Sequence, residues 1–241
     1  MSFYLRQHEY YCGIDLHAKR MYVCILKQDG EIVFHRNLKA NPDELRKALK
    51  PFAGKNLVVG VESTFNWYWL ADLCQEDKVP FVLGHAFAMK AIHGGKTKND
   101  KQDSMKIAML LRGGNFPQAY AYPKAKRAQR DLARRRTYFV RKRAELQTHV
   151  RNTAMQYNLS LPTGQLRYQS NQEGVVQLFS HSAAQFTIET DLEMIDSLTS
   201  QISNVEDRLR QLAQFDDPGS FYRLKSVPGI GDILAMVILY E

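Results

Sequence analysis

The chain has 241 residues, 44% of them hydrophobic and 24% charged, enough apolar content for one large or two small cores, which excludes a disordered chain. Against 25 Asp and Glu stand 33 Lys and Arg, a net charge of +8 with a pI near 9.3, so a polyanionic partner is favoured wherever the excess clusters. The cysteines Cys12, Cys24 and Cys74 are odd in number and form no C-x-x-C pair, which argues against a disulfide framework or a zinc knuckle and fits a reducing cytoplasm. No apolar run approaches the roughly 18 to 20 residues of a membrane span.

Residues 11–38 alternate and are rich in β-formers, in "YYCGIDLH", "MYVCILKQDG" and "EIVFHRNL". They predict three antiparallel strands, with Asp29-Gly30 as a tight hairpin turn. "NPDELRKALKPF" supplies Asn41 as N-cap and Pro42 at the first helical position, followed by apolar Leu45, Leu49 and Phe52, which predicts a crossover helix. "NLVVGVES" is a continuous apolar run of the kind a strand buried on both faces requires. "FNWYWLADLCQED" then reads as a helix and "PFVLGHA" as a fifth strand. The order βββαβαβα predicts an RNase H-like α/β domain, a mixed sheet flanked by helices, over residues 9–123.

From Lys124 the composition changes. Residues 124–158 carry only two acids, Asp131 and Glu145, among many bases, with no proline or glycine. They read as one long helix with Leu132, Phe139, Leu146 and Thr153 as a seven-residue seam. "LPTGQLRYQSNQEG" is a turn-rich connector. Beyond it, Ile195, Leu198, Ile202, Val205, Leu209 and Leu212 alternate steps of three and four, a heptad seam, so residues 124–214 are predicted to be an all-α coiled-coil region. In residues 215–241, "VPGIGDILA" fits either a helix-hairpin-helix turn, in which Gly229 and Gly231 let backbone N–H groups approach a phosphate, or a plain packing corner. The apolar "ILAMVILYE" that follows is expected to need a further element to cover it, so the chain is expected to be incomplete.

"HGGKTKNDKQDSMKIAML", residues 93–110, contains Gly-Lys-Thr before a helix, yet the first glycine of a P-loop would fall at Lys90, and the pattern fails. Asp100 and Asp103 remain, three apart on one helical face. With Asp15 in the first strand and Glu62 ending the fourth, four carboxylates would converge. Such a cluster implies Mg²⁺ or Mn²⁺ to neutralise it and to act on a phosphodiester. Singly, Asp15 or Glu62 is equally explained as a strand-end residue, and Asp100 and Asp103 are better explained as a helix cap and a macrodipole partner. Lys96, Lys98 and Lys101 stand where they could hold a phosphate backbone. His17 would face the same side as Asp15, either at the metal or as an exposed polar residue. Trp67, Tyr68 and Trp69 suit base stacking or core packing.

"GIDLH", "VGVEST" and "KTKNDKQDS" resemble the N-terminal domain of the DEDD transposases of bacterial insertion sequences, the IS110 group, which includes Piv-type DNA invertases. The resemblance implies a RuvC-like catalytic domain whose D-E-D-D tetrad, here Asp15, Glu62, Asp100 and Asp103, binds divalent metal and cuts and rejoins DNA. "LKSVPGIGDILAMVIL" is similar to the start of that family's second conserved region. Ser226 does not match the serine thought to be the nucleophile further on in that region. Oligomeric action, as dimer or tetramer, and direction by a structured guide RNA are further implications. Part of that nucleic-acid contact is assigned to the basic helix, at Arg127, Arg130, Arg134, Arg135, Arg141 and Lys142. Two rivals stand beside this reading. An actin- or sugar-kinase-like ATPase would need a Gly-Thr-rich hairpin after Asp15, where the chain has "LHAKR". A non-catalytic nucleic-acid-binding or dimerisation protein derived from a transposase would not depend on metal.

Overall fold

The structure, a computed structural model, describes residues 2–93 and 99–241. Two compact units divide the chain, Met1–Lys124 and Ala125–Glu241.

In the first unit the elements run β1 (Phe3–Tyr4), β2 (Tyr10–Leu16), β3 (Arg20–Lys27), β4 (Ile32–Lys39), α1 (Pro42–Leu49), β5 (Leu57–Glu62), α2 (Tyr68–Glu76), β6 (Phe81–Gly84), α3 (Ala86–His93), α4 (Asp100–Arg112) and β7 (Phe116–Pro117). Five strands form one mixed sheet in the order β4-β3-β2-β5-β6. β2 pairs antiparallel with β3 and parallel with β5, and β5 is parallel to β6. Parallel neighbours need crossovers, which α1 and α2 supply. Strand alternation divides the side chains cleanly. Cys12, Ile14, Val59 and Val61 pack on Leu45 of α1 and on Leu70, Leu73 and Cys74 of α2. Tyr11 and Val58 face the other way, onto Ile107, Leu110 and Leu111 of α4. Each fully buried Leu or Ile here contributes about 1.5–3 kcal/mol. The result is the expected RNase H-like mixed sheet covered on both faces.

Local signals decided the element ends. Asn41 Oδ1 accepts the Glu44 N–H at 2.9 Å, the N-cap expected for α1. The hairpin differs from expectation. Lys27 N–H bonds the Glu31 carbonyl at 2.9 Å, so the loop has three residues, with Gly30 in the left-handed region at φ +98, and not the two of a tight turn. Two pieces went unforeseen. β1 pairs antiparallel with β7, and α3 follows β6. Trp67 is 6% exposed and packs edge-on against Tyr68, which settles its role as core packing.

The second unit is built on α5 (Lys124–Gln156) and α6 (Ser182–Asp216). They are antiparallel, because partner numbers on α6 fall as those on α5 rise. Gln129 bonds Asp216 at 3.0 Å, Arg136 bonds Glu206 at 2.7 Å, Arg143 bonds Thr199 at 3.1 Å, and His149 bonds Asp191 at 2.5 Å. On α6, Ile195, Ile202 and Leu209 are buried, while Leu198, Val205 and Leu212 flank them half-buried. On α5 the predicted seam is shifted by one residue. Leu132, Phe139, Leu146 and Thr153 are half-buried shoulders, and the buried positions are Arg127, Ala133, Arg143, Val150 and Ala154. Apolar clusters occupy the two ends of the pair, around Val150 and Ile188 at one and around Ala133 and Leu209 at the other. Between them lie Arg136, Arg143, Thr199 and Glu206, a polar layer that a hydrophobic pattern cannot disclose.

α7 (Pro218–Lys225) and α8 (Asp232–Tyr240) close the unit. Ile230 N–H bonds the Val227 carbonyl at 3.0 Å across Pro228-Gly229, with Gly229 at φ +90, a type II turn that needs glycine at its third position. The apolar run in α8 is covered in part. Ala235, Met236 and Tyr240 pack on Ala133, Leu209 and Phe221, leaving Leu234 and Ile238 about half exposed. Among the described residues, no helix is long and apolar enough to cross a membrane.

Candidate metal centre

The centre sits where the carboxyl ends of β2 and β5 meet the first turn of α4. In the parallel register Ile14 stands beside Val61, which brings Asp15 and Glu62, each one residue further, alongside one another. Alternation turns Asp15 to the face that carries Tyr11 and Gly13, the face α4 covers. Two glycines permit that cover. A Cβ on Gly13 would lie 3.0 Å from Ala108 Cα and closer still to the Ser104 carbonyl oxygen and Ala108 nitrogen, and one on Gly60 would lie 2.6 Å from Leu111 Cδ1. The helix therefore rests directly on strand backbone.

Local chemistry fixes both ends of α4. Asn99, not Asp100, is the N-cap, and its side chain accepts the Lys101 N–H at 3.0 Å. Asp100 and Asp103 occupy the first turn, where the helix dipole favours negative charge. At the far end Asn115 N–H bonds the Leu110 carbonyl at 3.0 Å across Gly114 at φ +71, a Schellman stop. A tie from β4 completes the seating. His35 Nε2 lies 2.8 Å from the Lys101 carbonyl and 3.3 Å from Ser104 Oγ, and Ser104 is fully buried.

These elements bring three donors together. His17 Nε2 lies 3.2 Å from Asp15 Oδ2 and 3.6 Å from Asp100 Oδ1, and one ligand atom from each of the three residues falls within 4.8 Å of the others. Asp15 is the sheltered member, with an 18% exposed side chain against 58% for Asp100. Burial raises the Asp15 carboxyl above its ordinary pKa, the neighbouring His17 opposes this, and repulsion from Asp100 and then Asp103 adds to the rise. Among the described residues no Lys or Arg forms an ion pair with Asp15 or Asp100. Two repelling carboxylates and an imidazole, unpaired by any such cation, are a donor set that could hold a divalent metal.

The remaining candidates are not members of this group. Asp103 holds Lys106 at 2.9 Å and acts on Asp15 only through its charge. Glu62 is half-buried at the end of β5. Lys101 is exposed, and Lys96 and Lys98 lie outside the described residues. On α5, Arg127 is only 7% exposed, and Arg130 and Arg134 reach Glu241 at 3.4 and 2.6 Å. Arg135, Arg141 and Lys142 are exposed. Gly229 and Gly231 lie in the α7–α8 turn, where Asp232 takes up Lys225 at 2.7 Å and Arg210 at 2.9 Å. Sequence reasoning missed His35 and the seating glycines. Gly13 and Gly60, each inside an apolar strand, carried a readable signal of close backbone approach, whereas His35 carried none.

No curated protein matches the chain. The family model for DEDD transposases of the IS110 type, described as a transposase, matches residues 12–159, more than half of the chain and the whole stretch that contains the acidic group. This chain belongs to the IS110-type DEDD transposase family, enzymes that act on DNA and whose chemistry implies divalent metal.

Proposed function

We propose that this transposase cleaves and rejoins DNA phosphodiesters at a divalent-metal centre held by Asp15, Glu62, Asp100 and Asp103. The observation that carries the reading is the convergence of Asp15, His17 and Asp100 within 4.8 Å at the end of the sheet. Mg²⁺ or Mn²⁺, when bound, supplies positive charge for the attacking and leaving oxygens of a phosphodiester. Asp15, more sheltered than Asp100 and Asp103, anchors the site. Asp100, on the exposed helical turn, reaches toward substrate, Glu62 approaches from the neighbouring strand, and Asp103 is held in place by Lys106. Lys101, with Lys96 and Lys98 before it in the sequence, would take phosphates of the DNA backbone. In the second unit the exposed cations of α5 would hold phosphates, and the N–H groups at Gly229 and Gly231 would add a contact in the terminal turn. In this reading residues 9–123 are the catalytic domain, 124–214 a coiled-coil region and 215–241 the start of a second transposase domain. A structured RNA guides a cytoplasmic homo-oligomer.

One observation favours a rival, a non-catalytic nucleic-acid-binding protein. Lys106 already neutralises Asp103. Nicking of supercoiled DNA in Mg²⁺ or Mn²⁺ separates the two. The enzyme reading expects nicking that is abolished by EDTA and by the double variant Asp15→Asn plus Asp103→Asn. Nicking that survives in the double variant would rule out the assigned acids, and metal-independent DNA binding with no nicking by the wild type would favour the rival.

A further inference from the structure

α5 buries one side against α6, centred on Ala133, Arg143, Val150 and Ala154. The opposite side carries Arg135, Tyr138, Arg141 and Lys142, spaced three and four apart and therefore on one stripe, all of them exposed. Tyr138 is 48% exposed and belongs to neither apolar cluster of this unit. Its ring is held by its neighbours. The Arg135 guanidinium carbon lies 5.2 Å from the Tyr138 centroid and 4.7 Å from that of Phe139. Lys142 Nζ lies 5.8 Å from the Tyr138 ring and 2.8 Å from Glu145.

An exposed aromatic ring set among three cations has little to do for the fold. It matches a ligand that presents negative charge and flat π-faces together, and unpaired nucleic acid presents both. A duplex offers phosphates to the cations but no base face to the ring. Because the flanking cations already restrict the ring, stacking on it loses little side-chain freedom. Lys142 would exchange its Glu145 contact for a phosphate. The family acts on DNA, and cutting and rejoining exposes single strands.

We propose that the outer face of α5 is a docking surface for an unpaired DNA strand, with a base stacked on Tyr138 and phosphates on Arg135, Arg141 and Lys142. This deepens the reading of α5 as a nucleic-acid contact and is independent of the metal centre. The test is therefore run in EDTA, so that failure of the metal site and failure of this surface are distinguishable. Fluorescence anisotropy would follow the full chain binding an oligothymidylate of about 20 nucleotides, an oligouridylate and a duplex of the same length. Tyr138→Ala is expected to weaken oligothymidylate binding about tenfold or more, with the salt dependence and duplex affinity unchanged. Tyr138→Phe should bind as the wild type does. Arg135→Gln should reduce the slope of log affinity against log salt by about 0.7, one phosphate contact on a single strand. Equal affinity of Tyr138→Ala and wild type for oligothymidylate, an equal loss on duplex, or binding of oligouridylate without oligothymidylate would each overturn the proposal. Thermal melting by circular dichroism checks that the exposed substitutions leave the fold intact.

Discussion

Gly13→Ala adds one methyl group where α4 meets β2. The new Cβ would stand 3.0 Å from Ala108 Cα, with the Ser104 oxygen and Ala108 nitrogen closer still, against about 3.5–4.0 Å for an ordinary carbon contact. All three are backbone atoms, so no side chain can swing aside and the helix must retreat by roughly 1 Å. Overpacking of this kind costs about 1–3 kcal/mol. The opposing gain from a less flexible unfolded chain is about 0.4–1 kcal/mol, so destabilisation wins, by about 1–2 kcal/mol. At Gly60→Ala the nearest atoms belong to the Leu111 side chain, 2.6 Å away at Cδ1, rather than to helix backbone, so this substitution should cost less. The consequence for function is larger than for stability. Ser104 is one turn from Asp100, so displacing the helix separates Asp100 from Asp15. Urea denaturation and calorimetric Mn²⁺ titration should show Gly13→Ala folded but weakened in metal binding, and Gly60→Ala closer to wild type in both. A Gly13→Ala protein with unaltered stability and metal affinity would refute the argument that α4 rests on strand backbone.

Two predictions concern the helical unit. Arg136 and Glu206 pair with side chains only 22% and 23% exposed, and Glu206→Gln leaves Arg136 without its carboxylate, so urea denaturation should show a loss of about 1–3 kcal/mol. A loss below about 0.5 kcal/mol, the range of an exposed pair, would show the polar layer to be incidental. Asp232 is held below its ordinary pKa by hydrogen bonds from Lys225 and then Arg210. A carboxylate whose folded value is depressed stabilises the folded state above its unfolded pKa, and that contribution disappears as acid protonates it in the fold. Asp232→Asn should therefore melt lower than wild type at neutral pH and approach it on acidification. A gap that widens on acidification would contradict the assignment.

Much of this fold was legible because its signals are local. The alternation in β2 and β3, the Asn41 cap and the apolar run of β5 each declare an element without reference to the rest of the chain. The seam of α6 was legible for the same reason. That of α5 was misplaced by one residue because the buried stripe contains Arg143 and runs beside Arg136, and a count of apolar residues passes over both. The convergence of Asp15 and Asp100 followed from element order, but what enforces it did not. His35 reaches Lys101 from 66 residues away in sequence, and Gly13 matters through an atom it lacks. Arg127 illustrates the limit in the other direction, since composition counts it among the surface cations and tertiary packing removes it from the surface.

Calorimetric titration of Mn²⁺ into the wild-type chain and into Glu62→Gln tests the metal centre most directly. Two-site binding is expected in the wild type and clear weakening in the variant, because Glu62 stands beside Asp15 at the end of the sheet. Identical isotherms for the two proteins, or no binding by either, would contradict it.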